Sequence, residues 1–215
     1  MAAPPAARPQ PATRRFVKEV LGRGDYAIIG EIIEPGAKVL DLGCGDGELL
    51  EWLANHKRVR GSGVEIQREL VQRAIARGVS VYQSDIDQGL ADYPDQTFDY
   101  VILSQTLQQT LRPLHVLTEM LRVGKAIIVA FPNFGHWRVR WAHLVSGRAP
   151  QTGLFPYEWY ESPNIHFLTI DDFEILCRAQ QWRVERRFFL SGTRKVTSMP
   201  NLMAEIAVYQ LRSKA

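Results

Sequence analysis

The sequence predicts an α/β fold: a mostly parallel seven-stranded sheet with helices on both faces and an antiparallel C-terminal hairpin at one edge. Three observations predict it. Short apolar runs alternate with amphipathic helical stretches from residue 38 to residue 131. A glycine-rich turn, Gly43-Cys44-Gly45-Asp46-Gly47, joins the first run to the first of those helices. The last two runs follow each other with no helix between them, as an antiparallel hairpin requires.

Residues 1–14 are rich in Ala and Pro and lack apolar periodicity, so a disordered leader is expected ahead of one domain at 15–215. From Arg15 to Ile33, Val17, Val20, Leu21, Ile28, Ile29, Ile32 and Ile33 recur at near-helical spacing. That reads as one helix or two, interrupted near Gly22–Gly24 and stopped by Pro35-Gly36. Strands are expected at Lys38–Leu42, Arg60–Ile66, Val79–Gln83, Phe98–Leu103 and Lys125–Phe131. Helices are expected at Leu49–Asn55, Arg68–Arg77 and Leu114–Leu121, linked by right-handed crossovers. A helix over Ile170–Gln181 then precedes strands at Arg183–Leu190 and Ala204–Leu211.

Residues 132–169 break this rhythm, being too long for a simple strand-to-helix connection. They hold Phe134, His136, Trp137, Trp141, Phe155, Tyr157, Trp159, Tyr160, His166 and Phe167, with Arg138, Arg140 and Arg148 interleaved. An insertion after the fifth strand is expected to lie over the carboxyl ends of the strands, where open α/β sheets bind ligands. Packing onto the sheet is the expected use of most of these aromatics. A substrate cage, a lid and a docking face are the alternatives.

The net charge of +3 does not point to nucleic acid. Residues 1–24 carry +4 and the remainder −1, so the basicity belongs to the leader. A smaller cluster, Arg183, Arg186, Arg187, Arg194 and Lys195, can meet an acidic partner or simply solvate an exposed strand. The start has no continuous apolar stretch of a signal peptide, and no run spans a bilayer. The two cysteines, Cys44 and Cys177, form no metal-ligand or disulfide pattern. A cytoplasmic protein with no nucleic-acid, membrane or metal partner is therefore expected.

The turn at 43–47 has the spacing G-x-G-x-G rather than the G-x-G-x-x-G of dinucleotide binders. That points to S-adenosylmethionine (SAM), or its product S-adenosylhomocysteine, rather than a nicotinamide cofactor. Such a ligand needs a close-approach loop, a carboxylate for the ribose and a slot for adenine. Gly43, Cys44, Gly45 and Gly47 supply the loop, with Asp41 before it set near the methionine amine. Glu65 ends the second strand, where a carboxylate can accept both ribose hydroxyls. Asp85 after the third strand can accept from the adenine amine, with Ile66 and Ile86 against its faces; Ser104 ends the fourth strand. Taken singly, the loop is also a tight turn, and Asp85 or Asp87 a cap for the next turn.

Taken together these residues resemble the class I SAM-dependent methyltransferases, which have a Rossmann-like fold. Within them the chain is similar to the MetW family of bacterial methionine biosynthesis. The resemblance is carried by Asp25-Tyr26-Ala27-Ile28-Ile29 leading to Val39–Leu50, by Gly78–Pro94 with Ser84-Asp85-Ile86-Asp87, and by Phe98–Gln108. The more specific stretches are Phe131-Pro132-Asn133-Phe134-Gly135-His136-Trp137-Arg138-Val139-Arg140, Pro156-Tyr157-Glu158-Trp159-Tyr160 and Pro163-Asn164-Ile165-His166. The chain departs from the family at Gln109-Thr110-Leu111-Arg112-Pro113, where an Arg-Asn-Pro-like turn is common. The resemblance implies a protein with a methyltransferase fold that associates with and supports homoserine O-acyltransferase, whether an O-succinyl- or O-acetyltransferase.

Catalysis is not legible in the residues alone. Methyl transfer from a sulfonium needs alignment and exclusion of water, and a base only if the nucleophile is protonated. The end of the fourth strand, Leu103-Ser104-Gln105-Thr106-Leu107, lacks the Asn/Asp-Pro-Pro-aromatic signature of amino-methylating enzymes. His136 and His166 are candidate bases, and Tyr157 a third catalytic candidate, against the alternative that each histidine hydrogen-bonds within a packed loop. Two functions follow: a SAM-site partner of homoserine O-acyltransferase, and a free-standing SAM-dependent methyltransferase acting on a small molecule.

Overall fold

A computed structural model describes residues 23–213. The expected leader and the part of the first helix before Arg23 lie outside them. The described elements are α1 (Gly24–Ile32), β1 (Lys38–Leu42), α2 (Glu48–Lys57), β2 (Arg60–Glu65), α3 (Arg68–Ala76), β3 (Ser80–Gln83), β4 (Phe98–Ser104), α4 (Pro113–Val123) and β5 (Gly124–Pro132). They continue with α5 (Trp137–Ser146), α6 (Ile170–Ala179), β6 (Arg183–Ser191), β7 (Arg194–Lys195), α7 (Pro200–Met203) and β8 (Ile206–Arg212).

One sheet has the order β3-β2-β1-β4-β5-β8-β6-β7. The first five strands are parallel, and β8 runs antiparallel to both β5 and β6. The α/β fold with its antiparallel C-terminal hairpin is thus as the sequence predicts. Two details differ. Among the described residues the sheet has eight strands rather than seven, because Arg194 and Lys195 fold back on Ser191 and Leu190 as a two-residue edge strand. The hairpin also inserts β8 between β5 and β6, so β8 is interior and buried on both faces.

Alternation along the strands divides the core in two. Leu40, Leu42, Val101, Leu103, Ile127, Val129 and Phe131 face one side with Leu117 and Met120 of α4 and Phe173 of α6. Val39, Tyr100, Ile102, Ile128 and Ala130 face the other with Ile28, Ile29 and Ile32 of α1 and Leu49, Leu50 and Leu53 of α2. Such double-sided burial is why these strands read as nearly continuous apolar runs. Helix α6 starts where Thr169 and Asp172 cap each other, Thr169 Oγ1 accepting the Asp172 amide and Asp172 Oδ2 the Thr169 amide.

The insertion is not an irregular loop. It opens with α5, which the sequence reading does not place, because Arg138, Arg140 and His143 interrupt its apolar residues along the chain. Its return limb crosses the end of β4, where the Ile165 and His166 amides both donate to the Gln108 carbonyl. Phe134 stacks on the buried Phe155, with ring centroids 3.8 Å apart. Most of the other aromatics do not pack onto the sheet. Trp137, Trp141, Tyr157, Trp159, Tyr160 and Phe167 are all exposed, which corrects the expectation that they cover the sheet. Helix α5 has too few sheet-facing apolar residues to bury more than Val139. The basic strand cluster is largely engaged: Arg186 and Lys195 pair with Glu31, and Arg187 with Glu174.

Candidate functional site

A cleft of about 410 Å³ opens at the carboxyl ends of β1, β2 and β4. Its floor is the 43–47 turn, whose glycines adopt φ of +69°, +58° and +80°. The Gly43 and Cys44 amides both donate to the Val64 carbonyl, which folds the turn across the end of β2. That crossing is tight: a Cβ at Gly63 would collide with Cys44 Sγ. At Gly45 nothing lies within 4 Å of where a Cβ would stand, so the chain there leaves free space on the cleft side. Burial pushes the Cys44 thiol up to about 12 and the Cys177 thiol up to about 11, so neither is a nucleophile near neutral pH.

Three carboxylates shape the cleft. Glu65, buried, accepts the Gly45 amide through Oε2 at 3.0 Å and the Gln67 amide through Oε1 at 2.8 Å. Each oxygen keeps a free lone pair. Asp41 lines the cleft with no side-chain hydrogen bond among the described residues. Burial raises its pKa to about 7, opposed by Arg23 and helped by Glu65 and Asp25. Asp85 accepts the Asp87 amide at 2.9 Å and so caps the short turn at Ile86–Gln88. Asp87 faces away from this job: its carboxylate takes the Leu111 and Arg112 amides, fixing the turn in which the chain departs from the resembled family.

Of the residues expected to hold a cofactor, Asp41, Gly43, Cys44, Gly45, Glu65, Ile66, Asp85, Ile86 and Ser104 line this cleft. Gly47 does not; it sits at the N-cap of α2, against Ala74 and Val79. Ser104 is engaged elsewhere: its hydroxyl donates to Asp25 and accepts from Arg23 Nη2. Asp25 is fully buried, pairs with Arg23 at 3.1 Å, and links α1 to the end of β4. The Arg23 guanidinium also lies 4.2 Å from the Tyr26 ring centroid. Arg23 and Tyr26 both line the cleft, although sequence reasoning does not single them out. A charged pair beside an apolar helix, Arg23-Gly24-Asp25, is the available signal.

The catalytic candidates lie outside the cleft's lining. His136 is the N-cap of α5 and lines a separate cavity. Tyr157 lines a small pocket within the insertion, of about 70 Å³. His166 has a buried Nε2 with no partner among the described residues. Asn133 is structural: its amide donates to the Asn201 and Ala204 carbonyls and its oxygen accepts from Gly135 and Ile170.

The cleft is acidic, with Asp41, Asp46, Glu48, Glu65, Asp85 and Asp87 against Arg23, itself paired to Asp25. It suits a ligand that carries positive charge and donates hydroxyl and amine hydrogens. A pyrophosphate would be repelled. Gln105 also lines it, and its buried Nε2 lacks an acceptor among the described residues. Among the described residues no group of three or more His, Cys, Asp and Glu side chains is placed to hold a metal ion. No helix among them is long and apolar enough to cross a membrane.

Comparisons with known proteins bear on both fold and family. The profile of the family described as Methionine biosynthesis protein MetW matches residues 23–211. A bifunctional methionine biosynthesis protein MetXA/MetW of Rhodopirellula baltica is 37% identical over 197 residues, 86% of this chain but 32% of its own. The 27-O-demethylrifamycin SV methyltransferase of Amycolatopsis mediterranei is 32% identical over 100 residues, 42% of this chain and 36% of that protein. This chain thus spans about a third of the length of these two relatives. Among solved structures, an S-adenosylmethionine dependent methyltransferase of Mesorhizobium loti superposes with a TM-score of 0.67 at 14% identity, over 89% of this chain and 99% of that one. The [4+2]-cyclase SpnF superposes with a TM-score of 0.64 at 18% identity, over 88% and 80%. At these identities the likeness shows the fold alone, and a cyclase among the neighbours illustrates that the fold does not name a reaction.

Proposed function

The chain belongs to the MetW family of methionine biosynthesis proteins, and from that premise we propose that it is a SAM-binding partner that supports a homoserine O-acyltransferase. The observation that carries this reading is the outward-turned aromatic face of the insertion. Trp141, Leu144 and Val145 on one side of α5, with Trp159 and Tyr160, expose apolar surface that the fold itself does not use. Arg148 lines the same surface beside Trp141, Val145 and Trp159. Aromatic and Arg side chains on an exposed patch are the composition of an interface centre. A relative that bears the names MetXA and MetW on one polypeptide supplies the occupant: in this reading its MetXA unit is the acyltransferase.

The cleft's residues fit SAM or S-adenosylhomocysteine. Glu65 would take the ribose hydroxyls on its free lone pairs, Asp41 the ammonium and Arg23 the carboxylate of the methionine end. Asp85 would accept from the adenine amine between Ile66 and Ile86. SAM supplies an electrophilic methyl group on a sulfonium; the residues of this chain would hold and orient it. Two measurements test the proposal. The chain and the acyltransferase, mixed at micromolar concentration, should co-elute, and acyl transfer should fall when the two are separated. An acyltransferase equally active and stable alone overturns the reading.

A free-standing methyltransferase acting on a small molecule is the second reading, favoured by the methyltransferase relative over 100 residues. It predicts transfer of labelled methyl from SAM to a metabolite extract, lost in Glu65→Ala.

A further inference from the structure

A second cavity, of about 240 Å³, adjoins the cleft. Consecutive residues separate the two: Arg23 lines the cleft and Gly24 the cavity. Its walls come from parts of the chain distant in sequence, α1, the start of α5, the 152–154 turn and the β6–β8 end of the sheet. His136 is 4% exposed. Its Nδ1 accepts the Arg138 amide at 3.4 Å, which places the proton of the neutral ring on Nε2. Burial, against the opposing pull of Glu205, lowers the His136 pKa and keeps the ring neutral. Nε2 has no hydrogen-bond partner among the described residues.

Two opposite charges complete the lining. Arg138 Nη1 and Glu205 Oε1 stand 3.8 Å apart, well beyond the roughly 2.7–2.9 Å of a closed charge-assisted hydrogen bond. Glu205 is held in place, since its other oxygen accepts the Gly192 amide at 2.7 Å. The cavity therefore presents a cation, an anion and a neutral donor, each with bonding capacity to spare. Leu154 and Ile206 add an apolar wall.

We propose that this cavity binds a small zwitterionic α-amino acid, with its carboxylate on Arg138 and His136 Nε2, its ammonium on Glu205, and a short side chain against Leu154 and Ile206. Other ligand classes leave part of the site unused or opposed. A phosphate would face Glu205 without a counter-ion of its own. A simple amine would leave Arg138 and His136 idle, and a nucleotide exceeds the volume. The assignment does not depend on what the cleft holds.

The test is calorimetric titration of the full chain with L-homoserine and with L-methionine, with and without saturating S-adenosylhomocysteine. The added nucleoside keeps free methionine out of the cleft; if it does not bind, the proposed function loses its cofactor while the amino-acid titration still reads the cavity. One site is expected for at least one of the two amino acids. N-acetyl-L-methionine and L-methionine amide each lack one charge and should bind at least about tenfold more weakly. Arg138→Gln, at an exposed side chain, and Glu205→Gln, which keeps an acceptor for Gly192, should each weaken amino-acid binding about tenfold and leave S-adenosylhomocysteine affinity unchanged. No binding of either amino acid at millimolar concentration overturns the proposal. So does binding that is indifferent to both variants or equal for the blocked analogues.

Discussion

The Glu65 carboxylate and the Gly45 amide are joined at 3.0 Å, so the residue that ends β2 also fixes the loop that ends β1. The pairing is possible because β1 and β2 are parallel neighbours, with Leu42 opposite Val64. Gly45, at φ +58° with no side chain, brings its amide up to the carboxylate while leaving the cleft open. One acidic residue thereby shapes the loop and offers its remaining lone pairs to a ligand.

Substitution of Glu65 should separate these duties. Glu65→Ala removes two charge-assisted bonds, each worth about 1.5–3 kcal/mol, and should lower both stability and cofactor affinity. Glu65→Gln keeps one acceptor oxygen, so it should retain more stability than Ala yet lose about tenfold in S-adenosylhomocysteine affinity. Urea unfolding and calorimetry read the two effects; an unchanged affinity in Glu65→Ala removes Glu65 from the site.

The Asp25 cluster makes a sharper stability prediction. Asp25 is buried, and its partners are the Arg23 guanidinium and the Ser104 hydroxyl. Asp25→Ala leaves the half-buried Arg23 charge and Ser104 without their shared acceptor, and should cost about 3–5 kcal/mol, less what solvent recovers for Arg23. Ser104→Ala removes one hydroxyl and should cost about 1 kcal/mol. Their sum should exceed the cost of the double variant, because the two share one network. Denaturant midpoints of the four proteins give the cycle.

What the sequence discloses follows the range of the interactions. Strands β1, β4 and β5 are legible because each is a local apolar run, β2 and β3 because they recur in the alternation with helices, and the glycine turn because its spacing is local. Helix α5 is not, because its apolar stripe at Trp141, Leu144 and Val145 is barely a turn long and Arg138, Arg140 and His143 interrupt the run before it. Arg23, Tyr26 and the Asp25–Ser104 link escape for a different reason: α1 and the end of β4 meet only through the fold, 79 residues apart. The aromatics of the insertion carry a misleading signal, since composition shows what a surface is made of and not which way it faces.

Asp41 should impose a pH dependence. Its folded pKa of about 7 lies above the ordinary 3.8, because burial penalises the carboxylate, partly offset by Arg23 and reinforced by Glu65 and Asp25. The folded state therefore holds a proton that the unfolded state has released between about pH 4 and 7. This contribution to stability is full below about pH 4 and is lost as pH rises through about 7. Asp41→Asn should flatten that slope. A ligand ammonium favours the ionised form, so cofactor affinity should rise between about pH 6 and 8 with proton release below about 7. Calorimetry in buffers of different ionisation enthalpy measures the protons. Equal proton release by the wild-type protein and the Asp41→Asn variant would place the ammonium elsewhere.

The aromatic face makes the last prediction, and it separates folding from association. Trp141 is 61% exposed, Leu144 75% and Trp159 75%, so truncating them opens no cavity. Trp141→Ala and Trp159→Ala should each change unfolding free energy by no more than about 0.5 kcal/mol. If the face is the centre of the acyltransferase interface, the same variants should weaken the complex by about 2 kcal/mol, near thirtyfold, as interface anchors do. Glu69→Ala, on α3 beside the β3 edge of the sheet, is the control for a surface change away from the face. Sedimentation or calorimetry of the mixed proteins reads the association. Wild-type affinity in both tryptophan variants would place the partner on another surface, and a matching loss of stability would return these side chains to the role of packing.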